Sequence, residues 1–260
     1  MSRPNFQRAR LIERIDFSEE LGLFRFRPEG PFTFQPGQYA TLALADGDHL
    51  IQRPYSIVSS PYEPFLEFFL ELVPAGALTS RLWELKVQDE VLIRNRMVGK
   101  FTLDETSGMK FHAMSATVTG VAPYVSIART LRVDLERGKS AGHQLAVIHG
   151  ASRSSEFGVY HDELAALARE GWLTYIPTIS RPWEDTDWSG ETGRVEDVVR
   201  KHFDRLVFDH TNAVGYACGH PQMIENVKGI LMRAGFPKER IREEKFFVIT
   251  ATSDSSDESE

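Results

Sequence analysis

Four consecutive residues, Arg53-Pro54-Tyr55-Ser56, place a cation, a rigid turn residue, an aromatic ring and a hydroxyl directly after a β-like run. Proline fixes its own φ and biases Arg53 toward an extended conformation. In a strand, Arg53 and Tyr55 then point to one face, with Ser56 on the other side or at its edge. A ring that stacks, a guanidinium that meets phosphate and a hydroxyl that bonds a ring heteroatom suit a planar ligand with phosphate groups. Considered alone, such residues are more often involved in packing and solubility, so the rest of the chain has to decide.

A second group of candidates lies in four loops of the carboxy-terminal half, each of which follows an apolar strand-like run. In an open parallel sheet, ligands bind at the carboxyl ends of the strands. We therefore expect these loops to gather along one edge of a sheet. They are Thr117–Pro123, His149–Arg153, Thr178–Arg181 and Cys218–Met223.

The elements that must position these residues differ between the two halves. From Phe6 to about Asp104, short β-like runs are broken by turn pairs such as Pro36-Gly37, which is typical of a small antiparallel barrel. One helix interrupts this half after Gly76, and its opening turn is equally suited to a phosphate or to a simple cap. After Gly108, strands alternate with helices, which predicts a parallel α/β domain.

Composition limits the alternatives. The chain has 260 residues, of which 42% are apolar and 26% charged, and no apolar run is long enough to span a bilayer. The first residues lack the apolar core of a signal peptide, and the one cysteine, Cys218, excludes an internal disulfide and a four-cysteine iron–sulfur cluster. There is no basic stripe for nucleic acid and no metal-ligand pattern. These features favour a cytoplasmic protein without membrane contact.

The change of pattern predicts three parts: a first domain over residues 1–104, a second over 105–250, and a disordered tail over 251–260. The tail carries four acidic residues and no basic residue.

Five motifs, in the same order along the chain, resemble those of the ferredoxin–NADP⁺ reductase family of flavoproteins, especially its bacterial members. The resemblance covers about residues 6–250. It implies an antiparallel β-barrel that binds FAD, followed by an α/β parallel-sheet domain that binds NADP(H). The motifs are Pro36-Gly37-Gln38-Tyr39, Arg53-Pro54-Tyr55-Ser56, Gly76-Ala77-Leu78-Thr79-Ser80, Thr119-Gly120-Val121-Ala122-Pro123 and Cys218-Gly219-His220-Pro221-Gln222-Met223.

The resemblance implies roles for the barrel residues. Arg53 would contact the FAD pyrophosphate, Tyr55 would stack on the isoalloxazine, and Ser56 would lie near its N5. Thr79 and Ser80 would serve the phosphates. The other residues expected to line the FAD site, some through their backbone alone, are Pro54, Leu70, Leu72, Val73, Gly76 and Leu78.

The resemblance also implies roles in the second half. Thr117 and Gly120, in the turn that ends at Pro123, would face the nicotinamide and the pyrophosphate. Cys218 would shape the pocket through which hydride passes, a role compatible with that of a small buried residue at a strand end. The 2′-phosphate of NADPH would meet arginines. Those candidates are Arg181, preceded by Ser180, then Arg194 and Arg153.

Two positions depart from the family's pattern. Val118 stands where the family's nucleotide turn usually has a glycine, which restricts close approach of the backbone to a pyrophosphate. Near the carboxy terminus, Phe246 is expected to cover the flavin and to move aside for nicotinamide, with Phe247 as the competing candidate.

The function implied is electron transfer between NADPH and ferredoxin or flavodoxin through FAD, in a monomer that meets its partner transiently. Acidic carriers predict a basic patch, for which Arg94, Arg96 and Lys100 are candidates. One alternative is an NAD(P)H-dependent reductase of another acceptor, such as an oxygenase component or a cytochrome. A non-catalytic regulator with this fold is the other, and Val118 is its only support.

Overall fold

Two six-stranded sheets follow each other along the described part of the chain, the first antiparallel and the second parallel. The structure is a computed structural model, and it describes residues 5–74, 76–139 and 142–245. The predicted fold class, a barrel domain followed by a parallel α/β domain, is confirmed.

The antiparallel sheet curls into a barrel. Its strand order is β4-β3-β6-β1-β2-β5, and the backbone N–H of Val58, just after β4, donates to the carbonyl of Glu67 in β5 at 2.8 Å. The two outer strands are thereby joined. The elements are β1 (Phe6–Asp16), β2 (Leu21–Pro28), β3 (Tyr39–Asp46), β4 (His49–Ser56), β5 (Leu66–Glu71), helix α1 (Thr79–Glu84) and β6 (Glu90–Arg94).

Aromatic residues fill the barrel. Phe24 and Phe26 alternate along β2 and are fully buried with Phe68 of β5, as the period of two in the sequence predicts. The long strand β1 shows no regular alternation in the sequence. Its pairing with β2 shifts between Leu11 and Glu13, and such a bulge breaks the alternation of inward and outward side chains.

The parallel sheet has the order β10-β9-β8-β7-β11-β12, with helices on both faces. Its strands are β7 (Phe111–Thr117), β8 (Gln144–Ala151), β9 (Leu173–Ile179), β10 (Glu191–Thr192), β11 (Ala213–Gly219) and β12 (Ile241–Lys245). Its helices are α2 (Ala122–Glu136), α3 (Tyr160–Ala168), α4 (Val195–Arg205) and α5 (Pro221–Arg233).

The core on the α2 and α3 side of this sheet continues into the barrel. Val125 of α2 and Leu164 of α3 belong to one buried cluster with Leu23, Val58 and Phe69 of the barrel. The two domains therefore share apolar packing. The boundary at residues 104 and 105 stays a prediction.

A buried ionic cluster reinforces this contact. Glu67 of β5 has a fully buried side chain, and it accepts from Arg25 Nε at 2.6 Å and pairs with Arg129 Nη2 at 3.0 Å. The hydroxyl of Tyr160 donates to the same carboxylate at 3.0 Å. Since Arg25 belongs to the barrel and Arg129 and Tyr160 belong to α2 and α3, one carboxylate joins both domains.

Two elements are poorly marked in the sequence. The helix after Gly76 begins at Thr79, and the last described strand begins at Ile241, the only apolar residue of a strand whose other residues are all charged. Phe246 and Phe247 lie outside the described residues. In the described part of the chain, every helix is too short or too polar to cross a membrane.

Candidate functional site

The Arg53–Ser56 segment forms the end of β4. Tyr55 is partly buried with its ring edge-on to Phe68, at a centroid distance of 6.5 Å. Burial raises the pKa of Tyr55, an effect that Arg53 partly offsets, so the phenol stays neutral. Arg53 is exposed and donates to the carbonyl of Gln52 at 2.8 Å, with no carboxylate partner among the described residues. A ring held on the barrel beside an unpaired cation fits an aromatic ligand with phosphate groups.

The turn before α1 is held by its own hydroxyls. Ser80 Oγ donates to the carbonyl of Gly76 at 2.7 Å, and Thr79 Oγ1 accepts from the N–H of Val73 at 3.2 Å. A Cβ on Gly76 would lie 2.5 Å from Thr79 Oγ1, so the turn requires glycine. Thr79 and Ser80 therefore stabilise the turn, and their contact with phosphate stays a prediction.

The remaining residues expected around FAD lie on β4, on and just after β5, and before α1. Leu70 and Leu78 are buried in the barrel core. The N–H of Leu72 donates to the carbonyl of Glu20 at 2.7 Å. Pro54 is exposed on β4, opposite Thr41. The backbone of Leu72 is thus tied to the loop before β2.

The nucleotide turn after β7 contains a strained residue. Val118 has φ of +42°, a left-handed conformation that is an outlier for a β-branched side chain. Its carbonyl accepts from Nε2 of the buried His149 at 2.8 Å, and Nδ1 of His149 lies 3.2 Å from the hydroxyl of Tyr175. Burial lowers the pKa of His149 to about 3, so the ring is neutral, with its proton on Nε2. The turn thus keeps the backbone conformation of a glycine, and His149 fixes it.

The ends of β7 and β11 lie against each other. A Cβ on Gly120 would meet the carbonyl oxygen of Cys218 at 2.3 Å, so this approach requires glycine. Thr117 Oγ1 accepts from the N–H of His220 at 2.9 Å. Pro123 is buried at the first turn of α2. Two of the four loops are therefore in direct contact at the carboxyl edge.

Ser56 meets the parallel sheet at Glu244, a residue that the sequence reasoning missed. Ser56 Oγ donates to Glu244 Oε1 at 2.5 Å, and Glu244 of β12 pairs with Cys218 of β11. Burial raises the pKa of Glu244, and the hydrogen bond from Ser56 partly offsets this effect. The pKa of the fully buried Cys218 thiol is raised by burial and then by Glu244, so the thiol stays protonated. The candidate redox residues of both domains thus converge at one point.

The arginines follow three neighbouring strands. The N–H of Ser180 donates to the carbonyl of Ala151 at 2.9 Å and that of Arg181 to Ser152 at 3.1 Å, so the loops after β8 and β9 run side by side. Arg153 and Arg181 are about half exposed on these loops. β10 pairs with the end of β9, and Arg194 follows it as the residue before α4. The arrangement can hold a phosphate group at the outer part of the carboxyl edge.

Carboxylates accompany two of these arginines. Glu184 contacts Arg153 Nη2, and it lies 3.8 Å from Arg181 Nη1. The guanidinium of Arg194 forms no ion pair among the described residues, and its backbone N–H donates to Asp197 Oδ2 at 3.1 Å. Within the same residues, no group of three or more histidine, cysteine, aspartate and glutamate side chains could hold a metal ion.

Family models match both domains. The model for the oxidoreductase FAD-binding domain matches residues 8–102, and the model for the oxidoreductase NAD-binding domain matches residues 114–229. A flavodoxin/ferredoxin–NADP reductase of Escherichia coli (strain K12) is 34% identical over 209 residues, which are 77% of this chain and 79% of the relative. The chain belongs to the flavodoxin/ferredoxin–NADP reductase family.

Another relative of this reductase and a solved structure agree with that assignment. A ferredoxin–NADP reductase of Pseudomonas aeruginosa is 28% identical over 242 residues, covering 87% of this chain and 89% of the relative. A crystal structure of a ferredoxin NADP⁺ reductase from Neisseria gonorrhoeae with bound FAD and NADP has a TM-score of 0.81, covering 94% of this chain and 100% of that one. The two sequences are 22% identical, so this structural similarity supports the fold alone. The family predicted from the motifs is confirmed.

Proposed function

We propose that this reductase transfers electrons between NADPH and ferredoxin or flavodoxin, with FAD on the barrel and NADP(H) at the carboxyl edge of the parallel sheet. The observation that carries the proposal is the hydrogen bond between Ser56 of the barrel motif and Glu244 beside Cys218. It brings the end of the flavin motif to the point where the nucleotide loops meet. Membership of the family supports the same cofactors and the same reaction.

The barrel segment would hold FAD. Tyr55 offers a ring face, and Arg53 offers an exposed guanidinium to phosphate. The turn at Gly76 lies between β5 and α1, where Thr79 and Ser80 keep it closed. When bound, FAD supplies the chemistry of accepting a hydride and releasing electrons one at a time. The chain itself needs no nucleophile.

Ser56 and Glu244 would bind the proton that accompanies electron transfer. A carboxyl whose pKa is raised by burial retains a proton at higher pH than an exposed glutamate does. Ser56 Oγ lies 2.5 Å from Glu244 Oε1, so the two side chains would hold a proton between them at the end of β4, next to the ring that the barrel motif would bind. Cys218, protonated and buried, contributes volume to the pocket. The covering role of Phe246 is proposed from the resemblance alone.

The outer part of the carboxyl edge would hold NADPH. Arg153, Arg181 and Arg194 follow three adjacent strands and suit a 2′-phosphate. Ser180 lies beside Arg181 in the same loop. Thr117 and Gly120, at the packed ends of β7 and β11, would face the nicotinamide half. The left-handed Val118 keeps the turn in a conformation that compensates for the missing glycine.

The electron carrier would dock on the exposed basic face of the barrel. Arg94, Arg96 and Lys100 are exposed and have no carboxylate partner among the described residues. Arg94 donates to the side chain of Gln52, the residue before Arg53, so this face adjoins the flavin segment. Such a face suits an acidic carrier held transiently by charge. We propose a monomer for the same reaction.

Anaerobic stopped-flow spectroscopy tests the proposal. The purified protein should be yellow, NADPH should bleach it faster than NADH, and oxidised ferredoxin or flavodoxin should restore the colour. Rates with the carrier should fall steeply with added salt. A colourless protein that does not respond to NADPH would contradict the proposed function.

A further inference from the structure

Glu184 differs from the other carboxylates around the arginines. Its carboxylate contacts Arg153 and lies 3.8 Å from Arg181, so a single oxygen, Oε2, faces both guanidinium groups. Glu184 is exposed, in the short helical turn Pro182–Glu184 that follows β9. The two arginines therefore already share an anionic partner that belongs to the chain.

The neighbouring carboxylates have structural partners. Asp185 accepts from the N–H of Ser154 at 2.7 Å, and Glu156 accepts from the N–H of Ser152 at 2.8 Å. Both bonds hold the loop after β8. Glu156 Oε1 also lies 3.5 Å from Arg153 Nη1, but its other oxygen is held by the backbone. The carboxylate of Glu184 has no backbone partner among the described residues, and its turn is closed by its own N–H, which donates to the carbonyl of Arg181 at 2.9 Å. The fold therefore does not require this carboxylate.

A phosphate and this carboxylate compete for the same donors. A 2′-phosphate needs guanidinium N–H groups, and two of the three candidate arginines direct theirs to Glu184. A bound phosphate must displace the carboxylate or lie near it, where like charges repel. A ribose 2′-hydroxyl carries no such charge, and carboxylates are the usual partners of that hydroxyl in NAD sites.

We propose that Glu184 is a specificity-determining residue, whose carboxylate competes with the 2′-phosphate for Arg153 and Arg181 and thereby limits the preference for NADPH over NADH. The inference rests on the proposed function, which places NADPH at these arginines. It assigns Arg194, whose guanidinium forms no ion pair among the described residues, as the cation that a 2′-phosphate meets without competition.

Calorimetric titration of the oxidised holoenzyme with 2′-phospho-5′-AMP and with 5′-AMP tests this role. Glu184→Gln keeps the size and polarity of the side chain and removes its charge. It should bind 2′-phospho-5′-AMP about five- to tenfold more tightly than the unaltered protein, because two partly exposed ion pairs and one repulsion are removed. Its affinity for 5′-AMP should change less than twofold.

Asp187→Asn is the matched control. It removes one negative charge from an exposed residue of the same loop that has no recorded contact with the arginines, so both affinities should stay within twofold. In Arg181→Ala, the further change Glu184→Gln should give less than half of the gain seen with Arg181 present, since one of the two shared cations is gone. The ratio of kcat/KM for NADPH to that for NADH should rise in Glu184→Gln and stay unchanged in Asp187→Asn.

Three results would overturn the inference. A gain below twofold in Glu184→Gln excludes competition, and so does an equal gain for 5′-AMP. An equal gain in the affinity of Asp187→Asn for 2′-phospho-5′-AMP would show that the effect comes from net charge and not from the contact with the arginines. If the unaltered protein prefers 2′-phospho-5′-AMP but Glu184→Gln gains nothing, only the role of Glu184 fails. If neither protein distinguishes the two nucleotides, the placement of the 2′-phosphate in the proposed function fails with it.

Discussion

Two glutamates lie where the barrel meets the parallel sheet, and their surroundings are opposite. Glu67 is fully buried and contacts two guanidinium groups and a tyrosine hydroxyl. Glu244 is partly buried, and its recorded partner is the hydroxyl of Ser56. The carboxyl group of Glu67 therefore has cations as partners, whereas that of Glu244 has a neutral hydroxyl.

The difference separates a structural role from a chemical one. A buried carboxylate that contacts two guanidinium groups has its charge balanced by them, and removal of any member of the cluster leaves a charge without compensation. A buried carboxyl without a cation is easier to protonate, which is the property that proton transfer requires. The strained residue Val118 lies two positions before Gly120, whose backbone packs against Cys218, the strand neighbour of Glu244.

The largest effect is expected for Glu67→Ala. It leaves Arg25 and Arg129 without their shared carboxylate, so the free energy of unfolding of the holoenzyme should fall by about 3 kcal/mol. Urea denaturation followed by circular dichroism measures the change. The folded fraction should keep its rate of reduction by NADPH. A loss of less than about 1 kcal/mol would show that the cluster is not the stabilising contact between the domains.

A smaller, pH-dependent effect is expected for Glu244→Gln. In the folded protein the pKa of Glu244 lies above its ordinary value of 4.5, so the folded state binds this proton more tightly than the unfolded state does. The unaltered protein therefore loses stability as the pH rises from about 4.5 through the raised pKa. The amide cannot ionise, so Glu244→Gln should be more stable than the unaltered protein at pH 8 and show no such gain below pH 4.5.

The neighbouring variant Glu243→Gln is its control, because Glu243 pairs with Lys228 at 2.8 Å and should show no gain at high pH. Denaturation curves between pH 4 and pH 8 give the comparison. Stability curves that stay parallel across this range for Glu244→Gln and the unaltered protein would contradict the ionisation behaviour assigned to this carboxyl. Reduction by NADPH should also become slower in Glu244→Gln.

A backbone effect is expected at Val118. A Cβ in the left-handed region costs about 1 kcal/mol or more, so Val118→Gly should be about 1 kcal/mol more stable than Val118→Ala. At ordinary positions alanine is the more stabilising of the two. Both variants lose the two γ-methyl groups of valine and differ only in the Cβ, so the pair compares the two residues at one backbone conformation. Thermal denaturation measures the two stabilities. If Val118→Ala were the more stable variant, the turn would have relaxed on removal of valine.

The smallest effect is expected for Glu13→Ala. Glu13 pairs with Arg25, and because the Glu13 side chain is partly exposed, solvent weakens the attraction. The free energy of unfolding should fall by under about 0.5 kcal/mol. The same denaturation measurement compares it directly with Glu67→Ala. Equal losses in the two variants would remove the distinction between the buried and the exposed partner of Arg25.

The sequence predicts the order of the domains because the hydrophobic period changes from two to a strand–helix alternation after Gly108. It also predicts which loops share an edge, since parallel strands all end at the same side. Val118 is recognisable as an exception from its residue type alone. Its left-handed φ and the hydrogen bond from His149 are visible only in three dimensions.

Glu244 and Glu184 could not be found in this way. In Arg242-Glu243-Glu244-Lys245 every residue is charged, a pattern typical of a solvated surface, and only the pairing of β12 with β11 places Glu244 beside Cys218. Glu184 contacts Arg153, which lies 31 positions earlier in the chain. Both contacts depend on tertiary pairing, about which local periodicity carries no information.

The Ser56–Glu244 hydrogen bond also sets an order of events during folding. It joins residues 188 positions apart, and Glu244 lies on the last strand that the structure describes. Contacts of such large sequence separation close late, after local hairpins and strand–helix units have formed. A chain still emerging from the ribosome can therefore complete its barrel while the proton-handling pair is absent. Reactivity toward NADPH should arise only when β12 joins the sheet, so that the chemistry of the site is withheld until both domains are folded.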